Sequence, residues 1–333
     1  MSPESPEPSL FQRVHGCLLG QAIGDAFGAA GHLGPLPQPP ILELVAPAPD
    51  HPIHGGLVAG QYTDDTIFAL AILDSILETG QVQAGAVARS FQETIQRLGL
   101  EESSLIGPST RAAIQAWNEG ADAEEAGRFG WTNGSVMRVA PVGLRYPGDL
   151  ERTVQAAAES ARPTHNTNVA IASACAVACA VSRAAAGHAS LDDLIDAACF
   201  GAEEGLSLGH AFIAPSVSRR IRYAVSLARA PKPVAERQRD LYDLVGTGLP
   251  AYEMAAAALA HVVLADGDPV EAIRLATNTG GDTDTTAAIA GAIAGALRGS
   301  GPFPQAWVDQ VERANQVDLA GYARRYTTLI EES

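Results

Sequence analysis

The chain is short of aromatic side chains, at 5% of 333 residues, and short of positive charge, with 22 Lys and Arg against 38 Asp and Glu. The resulting net charge of −16 has the wrong sign for reading a phosphate backbone, so no nucleic-acid partner is expected. Charged residues reach only 18% while hydrophobic ones reach 47%, which excludes an intrinsically disordered chain and predicts a large aliphatic, alanine-rich core. Unbroken apolar runs of about 20 residues are missing, so no membrane span is expected. There are four cysteines, Cys17, Cys175, Cys179 and Cys199, with no CxxC pair among them, and buried free thiols are expected. The first ten residues, MSPESPEPSL, have neither the basic region nor the apolar run of a signal peptide, which makes the cytoplasm the default compartment. The sequence does not fix the oligomeric state, with a monomer one of the options.

Persuasive strand patterns are also lacking. Residues 1–10 read as a tail, and the stretch FQRVHGCLLGQAIGDAFGAAGH then places Val14, Leu18, Ile23 and Phe27 at helical spacing. Glycine recurs there at 16, 20, 24 and 28, tolerable in a helix only where another element packs closely on that face. Residues 33–60 are rich in Pro and Gly and predict a long ordered loop, a length often associated with function. Further helices are expected over 65–79, 82–97, 109–119, 134–141, 150–161, 167–187, 191–204, 214–229, 250–266, 269–277, 283–297 and 304–323. The expected architecture is one all-α domain over 11–325, followed by a tail at 326–333.

Carboxylates concentrate in two places, Gln61-Tyr62-Thr63-Asp64-Asp65-Thr66 and Gly280-Gly281-Asp282-Thr283-Asp284-Thr285-Thr286, each at the start of an apolar helix. Two readings stand. Asp and Thr are good N-caps and suit a first helical turn. One cap needs only one such residue, and carboxylates this dense repel unless protonated or bridged by a cation. Converging in space, Thr63, Asp64, Asp65, Asp282, Asp284 and Thr285 would offer hard oxygen ligands suited to Mg2+ or Mn2+. Three other polar positions interrupt apolar context. Asp25 in the glycine-spaced helix needs a partner, either the metal cluster or nearby backbone donors. Thr132-Asn133-Gly134-Ser135 forms a polar turn before a helix, and His165 in Thr164-His165-Asn166-Thr167-Asn168 stands at a helix entrance as a substrate contact or a structural histidine.

Taken in order, GCLLGQAIGDAFG (16–28), QYTDDT (61–66), GPSTR (107–111), TNGSVMR (132–138), THNTN (164–168) and GGDTDTTAAIAGAIAGA (280–296) resemble the ADP-ribosylglycohydrolase family over roughly residues 11–325. The resemblance implies a compact multi-helix orthogonal bundle with a central dimetal cleft. It places the family's metal-binding triplets on Thr63, Asp64, Asp65 and on Asp282, Asp284, Thr285, with two Mg2+ or Mn2+ ions between them. It implies substrate contacts at Asp25, Asn133, Gly134, Ser135, His165, Gly280 and Gly281, and catalytic roles for Asp64, Asp65 and Asp282. The implied reaction is hydrolysis of the glycosidic bond joining ADP-ribose to a protein side chain or a small conjugate, through an oxocarbenium-like state.

Two departures stand out. Many members carry a cleft glutamate shortly after the GDA motif, and ungapped placement puts His32 there, where it would serve as acid or base or only bind a phosphate; Glu43 is a second substitute if the following loop folds back. THNTN also differs from the THPHP-like form common in the family. These leave two alternatives beside the leading one: a metal-dependent hydrolase of another nucleoside or ribosyl compound, and a catalytically silent ADP-ribose-binding protein.

Overall fold

The computed structural model describes residues 7–34 and 39–332. Residues 1–6 of the expected N-terminal tail, residues 35–38 of the expected loop and Ser333 lie outside the described residues. Among the described residues there is no strand, only two isolated bridges, Thr132 with Pro250 and Thr167 with His210. The helices are α1 (Leu10–Gly28), α2 (Asp64–Thr79), α3 (Ala84–Leu98), α4 (Pro108–Asn118) and α5 (Ala123–Ala126). Next come α6 (Ala140–Arg145), α7 (Leu150–Ala161), α8 (Asn168–Ala185), α9 (Leu191–Gly205), α10 (Val217–Ala228) and α11 (Val234–Asp240). The last are α12 (Ala251–Leu264), α13 (Pro269–Thr277), α14 (Thr283–Arg298), α15 (Gln305–Asn315) and α16 (Leu319–Glu331). The chain is all-α, as its patterning predicts.

The centre of the molecule is the antiparallel pair α1 and α14, and glycine explains it. A Cβ on Gly16 would lie 2.4 Å from the Gly295 carbonyl oxygen, one on Gly20 would lie 2.0 Å from Gly291 O, and one on Gly24 would lie 2.2 Å from Ala287 O. Side chains are excluded along this seam, so the two backbones touch. At the end of the seam Gly28 meets Thr283 and Asp284. That contact sets the last turn of α1, which carries Asp25, beside the first turn of α14, which carries Asp284. Helix α8 is long and apolar enough by composition to cross a membrane, but 89% of it is buried inside the protein, where it is a core helix. All four cysteines are free and buried.

Several expected boundaries change. The helix expected over 134–141 is a 3-10 turn, Asn133–Ser135, followed by the short α6. The helix expected over 304–323 is two, because Gln316 adopts a left-handed conformation (φ 53°) and turns the chain between α15 and α16. The tail expected at 326–333 is mostly helix: α16 runs to Glu331, with Tyr326 buried and its hydroxyl donating to Pro141 O at 2.6 Å. The short helix α11, which passes into a π-helical turn at Leu241–Val245, has no counterpart in the sequence reading.

Candidate active site

Helices α2 and α14 point their N-termini at one cleft of about 210 Å3. Asp64, Asp65, Asn133, Gly134, Asp282, Asp284 and Thr285 line it, as expected. A larger groove of about 600 Å3, lined by Gln81, Tyr146, Arg152 and Phe200 among others, shares no residue with the cleft.

The capping account fails for these acids. Thr63 caps α2, accepting from the Asp65 amide, while Asp282 stands at the N-cap of α14 without making a side-chain cap bond. Instead Asp282 Oδ2 accepts from Asn133 Nδ2 at 2.6 Å. Asp65 Oδ2 accepts from Thr285 Oγ1 at 3.4 Å and lies 3.2 Å from Thr63 Oγ1, whose proton goes to the nearer Asp25, while its other oxygen, Oδ1, is buried without a partner among the described residues. One carboxylate oxygen each from Asp25, Asp65 and Asp284 lies within 4.8 Å of the others. A buried acceptor with nothing to accept from, inside an all-oxygen cluster, is the chemistry a hard divalent cation satisfies. The residues therefore fit a divalent metal.

Electrostatics agree. Burial, then the charges of the neighbouring acids, push Asp64 and Asp65 well above the usual carboxylate range, and burial with Asp284 does the same to Asp282. Asp25 is raised to about 7, chiefly by burial, against the hydrogen bonds from Thr66 and Thr63. Asp284 is the exception: burial opposes its ionisation, but the hydrogen bond and charge of His54 hold it at about 2.

His54 is the cleft residue that the sequence reading missed. Its Nε2 lies 3.2 Å from Asp284 Oδ2 and its Nδ1 lies 3.2 Å from the carbonyl of Ala29 at the end of α1. A carbonyl takes only an N–H, so the ring spans two acceptors and is best suited as a cation; burial lowers its pKa, but Asp284 and then Asp25 outweigh that and raise it. The His51 ring stacks on it at 5.0 Å. The available signal was the HPIHGG stretch in the loop already singled out for its length. His32, by contrast, is outside the cleft lining and makes no hydrogen bond with the described residues. Glu43 is also elsewhere, accepting from Trp307 Nε1 at 3.0 Å.

Other expected contacts turn out to be supports. The Asp25 carboxylate accepts from the backbone and hydroxyl of both Thr63 and Thr66 at 2.6–3.1 Å, so it organises the first turn of α2 from behind. Ser135 Oγ donates to Ala170 O at 3.3 Å, inside the protein. His165 is wholly buried between Thr164 and Thr132, beneath Gly134, where a Cβ would lie 2.7 Å from its ring. Its ring nitrogens are both engaged by buried threonines. Gly281, at φ 90°, is required by Thr247: a Cβ there would lie 2.2 Å from Thr247 Oγ1, which donates to Gly280 O. The glycine pair thus seats the loop against Thr247 rather than lining the cleft.

A helical bundle whose acid-tipped helices meet in one cleft offers the oxygen donors of a divalent-cation site, and comparison with known proteins gives the family. The chain matches ADP-ribosylglycohydrolase over residues 6–333. It belongs to the ADP-ribosylglycohydrolase family, and by that membership it is a hydrolase of glycosidic bonds. It is 31% identical to the uncharacterized protein YegU of Escherichia coli (strain K12), covering 94% of this chain and 95% of that one. It is 30% identical to the ADP-ribosylarginine hydrolase Tri1 of Pseudomonas putida (strain GB-1), covering 92% and 76%, and 26% identical to the ADP-ribosylhydrolase ARH3 of Homo sapiens, covering 93% and 92%. A solved structure described as an ADP-ribosylglycohydrolase-related protein complex superposes with a TM-score of 0.75 at 26% identity, covering 96% of this chain and 98% of that one.

Proposed function

We propose that the protein is a hydrolase dependent on two Mg2+ or Mn2+ ions that cleaves the bond between ADP-ribose and a protein side chain or small conjugate. The observation that carries this reading is the meeting of Asp64, Asp65, Asp282, Asp284 and Thr285 in one cleft, with Asp65 Oδ1 buried and unpartnered. Names of relatives, an ADP-ribosylarginine hydrolase and an ADP-ribosylhydrolase, support the substrate class. So does an exposed aromatic pair beside the Asn133 turn: Trp131 and Phe212 stack at 5.9 Å and 11°, a platform for a planar base.

Those acids, with the Thr63 and Thr285 hydroxyls, would hold the ions. Ions held there would supply Lewis-acid polarisation and a water acidic enough to attack at neutral pH. The chain's own groups do the rest. Asn133 fixes the Asp282 carboxylate, Asp25 holds the turn that presents Asp64 and Asp65, and His54 holds Asp284. The acidic wall then faces the positive charge that develops at the anomeric carbon.

The test is a turnover screen, with and without Mg2+ or Mn2+, on ADP-ribosyl-arginine, ADP-ribosyl-serine, O-acetyl-ADP-ribose and simple nucleosides. Metal-dependent release of ADP-ribose is expected from at least one conjugate, with Asp284→Ala lowering it by at least about a hundredfold. Cleavage of simple nucleosides alone, or equal activity of Asp284→Ala without metal, overturns the reading.

A further inference from the structure

The HPIHGG stretch carries a second histidine whose ring the cleft does not use. His51 is half-buried and does not line the cleft, yet its ring stacks on that of His54, with centroids 5.0 Å apart and planes 7° from parallel. No helix or strand holds this segment. Its backbone closes as a tight turn instead, in which the Gly55 amide donates to His51 O at 3.1 Å and the Leu57 amide donates to His54 O at 2.9 Å. Gly55 fits because it has no side chain: a Cβ there would lie 2.5 Å from Pro49 O and 2.8 Å from His51 O.

Backbone donors settle which nitrogen of His51 carries the proton. The amides of Ile53 and His54 donate to its Nδ1, at 3.4 and 3.0 Å. An amide N–H is a donor only, so Nδ1 is the bare nitrogen and the ring is neutral, with its proton on Nε2. Burial, then the charge of His54, lower its pKa in agreement. His54 is committed the other way. A carbonyl only accepts, so its Nδ1 carries the proton that meets Ala29 O at 3.2 Å, and the same ring reaches Asp284 Oδ2 through Nε2 at 3.2 Å. One of the two amides held by His51 belongs to His54 itself. That bond fixes the backbone of the residue that reaches Asp284, in a loop where no helical ladder does so. Pro52, between the histidines, has no amide to compete for Nδ1.

We propose that His51 is a positioning residue for His54: its bare Nδ1 accepts the amides of Ile53 and His54 and so closes the turn that sets the His54 ring between Ala29 and Asp284. The value of that placement to a bound cation rests on the function proposed above; the turn does not. Two features of His51 are separable by substitution. Asparagine puts an acceptor oxygen on Cγ, where Nδ1 stands, and readily accepts amides a few residues further along the chain. Phenylalanine keeps the stacked ring and has no acceptor. The acceptor sets the placement, so His51→Asn should behave as wild type and His51→Phe should not.

The first readout is 15N NMR of the ring nitrogens on the full-length, metal-free protein. Wild type is expected to show His51 with a protonated Nε2 and a bare Nδ1, and a slowly exchanging His54 Nδ1–H bonded to Ala29. His51→Phe should lose that slow exchange, and His51→Asn should keep it. The second readout is Mn2+ affinity. His51→Phe is expected to shift it about fivefold, the worth of one hydrogen bond, and the shift should vanish when His54 is already alanine. A protonated Nδ1 on wild-type His51 overturns the proposal, as does a His51→Asn protein that behaves as His51→Phe does. So does a His51→Phe protein that keeps the His54 signal or the wild-type Mn2+ affinity, or whose Mn2+ shift persists in the His54→Ala background. Should wild type fail to bind Mn2+, the functional reading falls, and the NMR signals still decide whether His51 places His54.

Discussion

Asp25 and Asp65 are both buried carboxylates beside Thr63, yet their oxygens have opposite fates. Asp25 is saturated by four donors from the first turn of α2, whereas Asp65 keeps one oxygen with none. Asparagine substitutions separate the two roles. In Asp25→Asn, an amide N–H2 is forced against N–H and O–H donors, and the loss expected in urea unfolding is about 2–3 kcal/mol even without metal. In Asp65→Asn, a buried carboxyl whose ionisation the fold opposes is replaced by a neutral amide, so metal-free stability should hold or rise, while the thermal shift caused by Mn2+ disappears. A metal-free Asp65→Asn protein destabilised as much as Asp25→Asn would show that Asp65 is structural.

At the scale of elements, α1 and α14 are joined through glycine, and each seam position has a defined tolerance. Gly20→Ala would place a methyl group 2.0 Å from the Gly291 oxygen, with backbone on the other side, and should cost about 3 kcal/mol. Gly85→Ala, in the exposed first turn of α3 with nothing nearer than 3.8 Å, should instead stabilise by about 0.5–1 kcal/mol. Thermal or urea unfolding of both variants checks the contrast. A close neighbour on this face of α1 was legible in the sequence, because glycine at every fourth position states that requirement; that the neighbour is α14 was not. The TDDT and GGDTDT segments were legible for a similar reason, since too many carboxylates in one turn exceed any capping need. His54 was not, because it reaches Asp284 through an irregular loop whose path leaves no periodicity in the residues. Nor was the break between α15 and α16, where Gln316 turns left-handed without a glycine or proline to announce it. His165 shows the remaining limit: a helix-entrance histidine looks the same in sequence whether it faces a ligand or a buried threonine.

Across the whole molecule, the acidic excess has a stability cost that depends on pH. Asp25, Asp64, Asp65 and Asp282 have raised pKa values in the fold, so the stability they permit is complete below the unfolded carboxylate range and declines as pH rises through their folded values, about 7 for Asp25. His261 acts in the other direction. Buried, with Nδ1 donating to Ala257 O at 2.8 Å, it is lowered to about 4, so its contribution is present above about 6.5 and lost as pH falls through about 4. Metal-free protein should therefore be most stable in mildly acidic solution, and the rise in Tm on adding Mg2+ or Mn2+ should be larger at pH 8 than at pH 5.5. Equal shifts at both pH values would argue against the acidic cluster as the binding site. The seam between α1 and α14 also has a consequence in time. Because the glycine face of α1 fits α14 and the other elements between them come first in sequence, that face stays uncovered until α14 has been made and docked. The centre of the molecule thus closes late, and a chain cut short before α14 would leave the glycine face of α1 open.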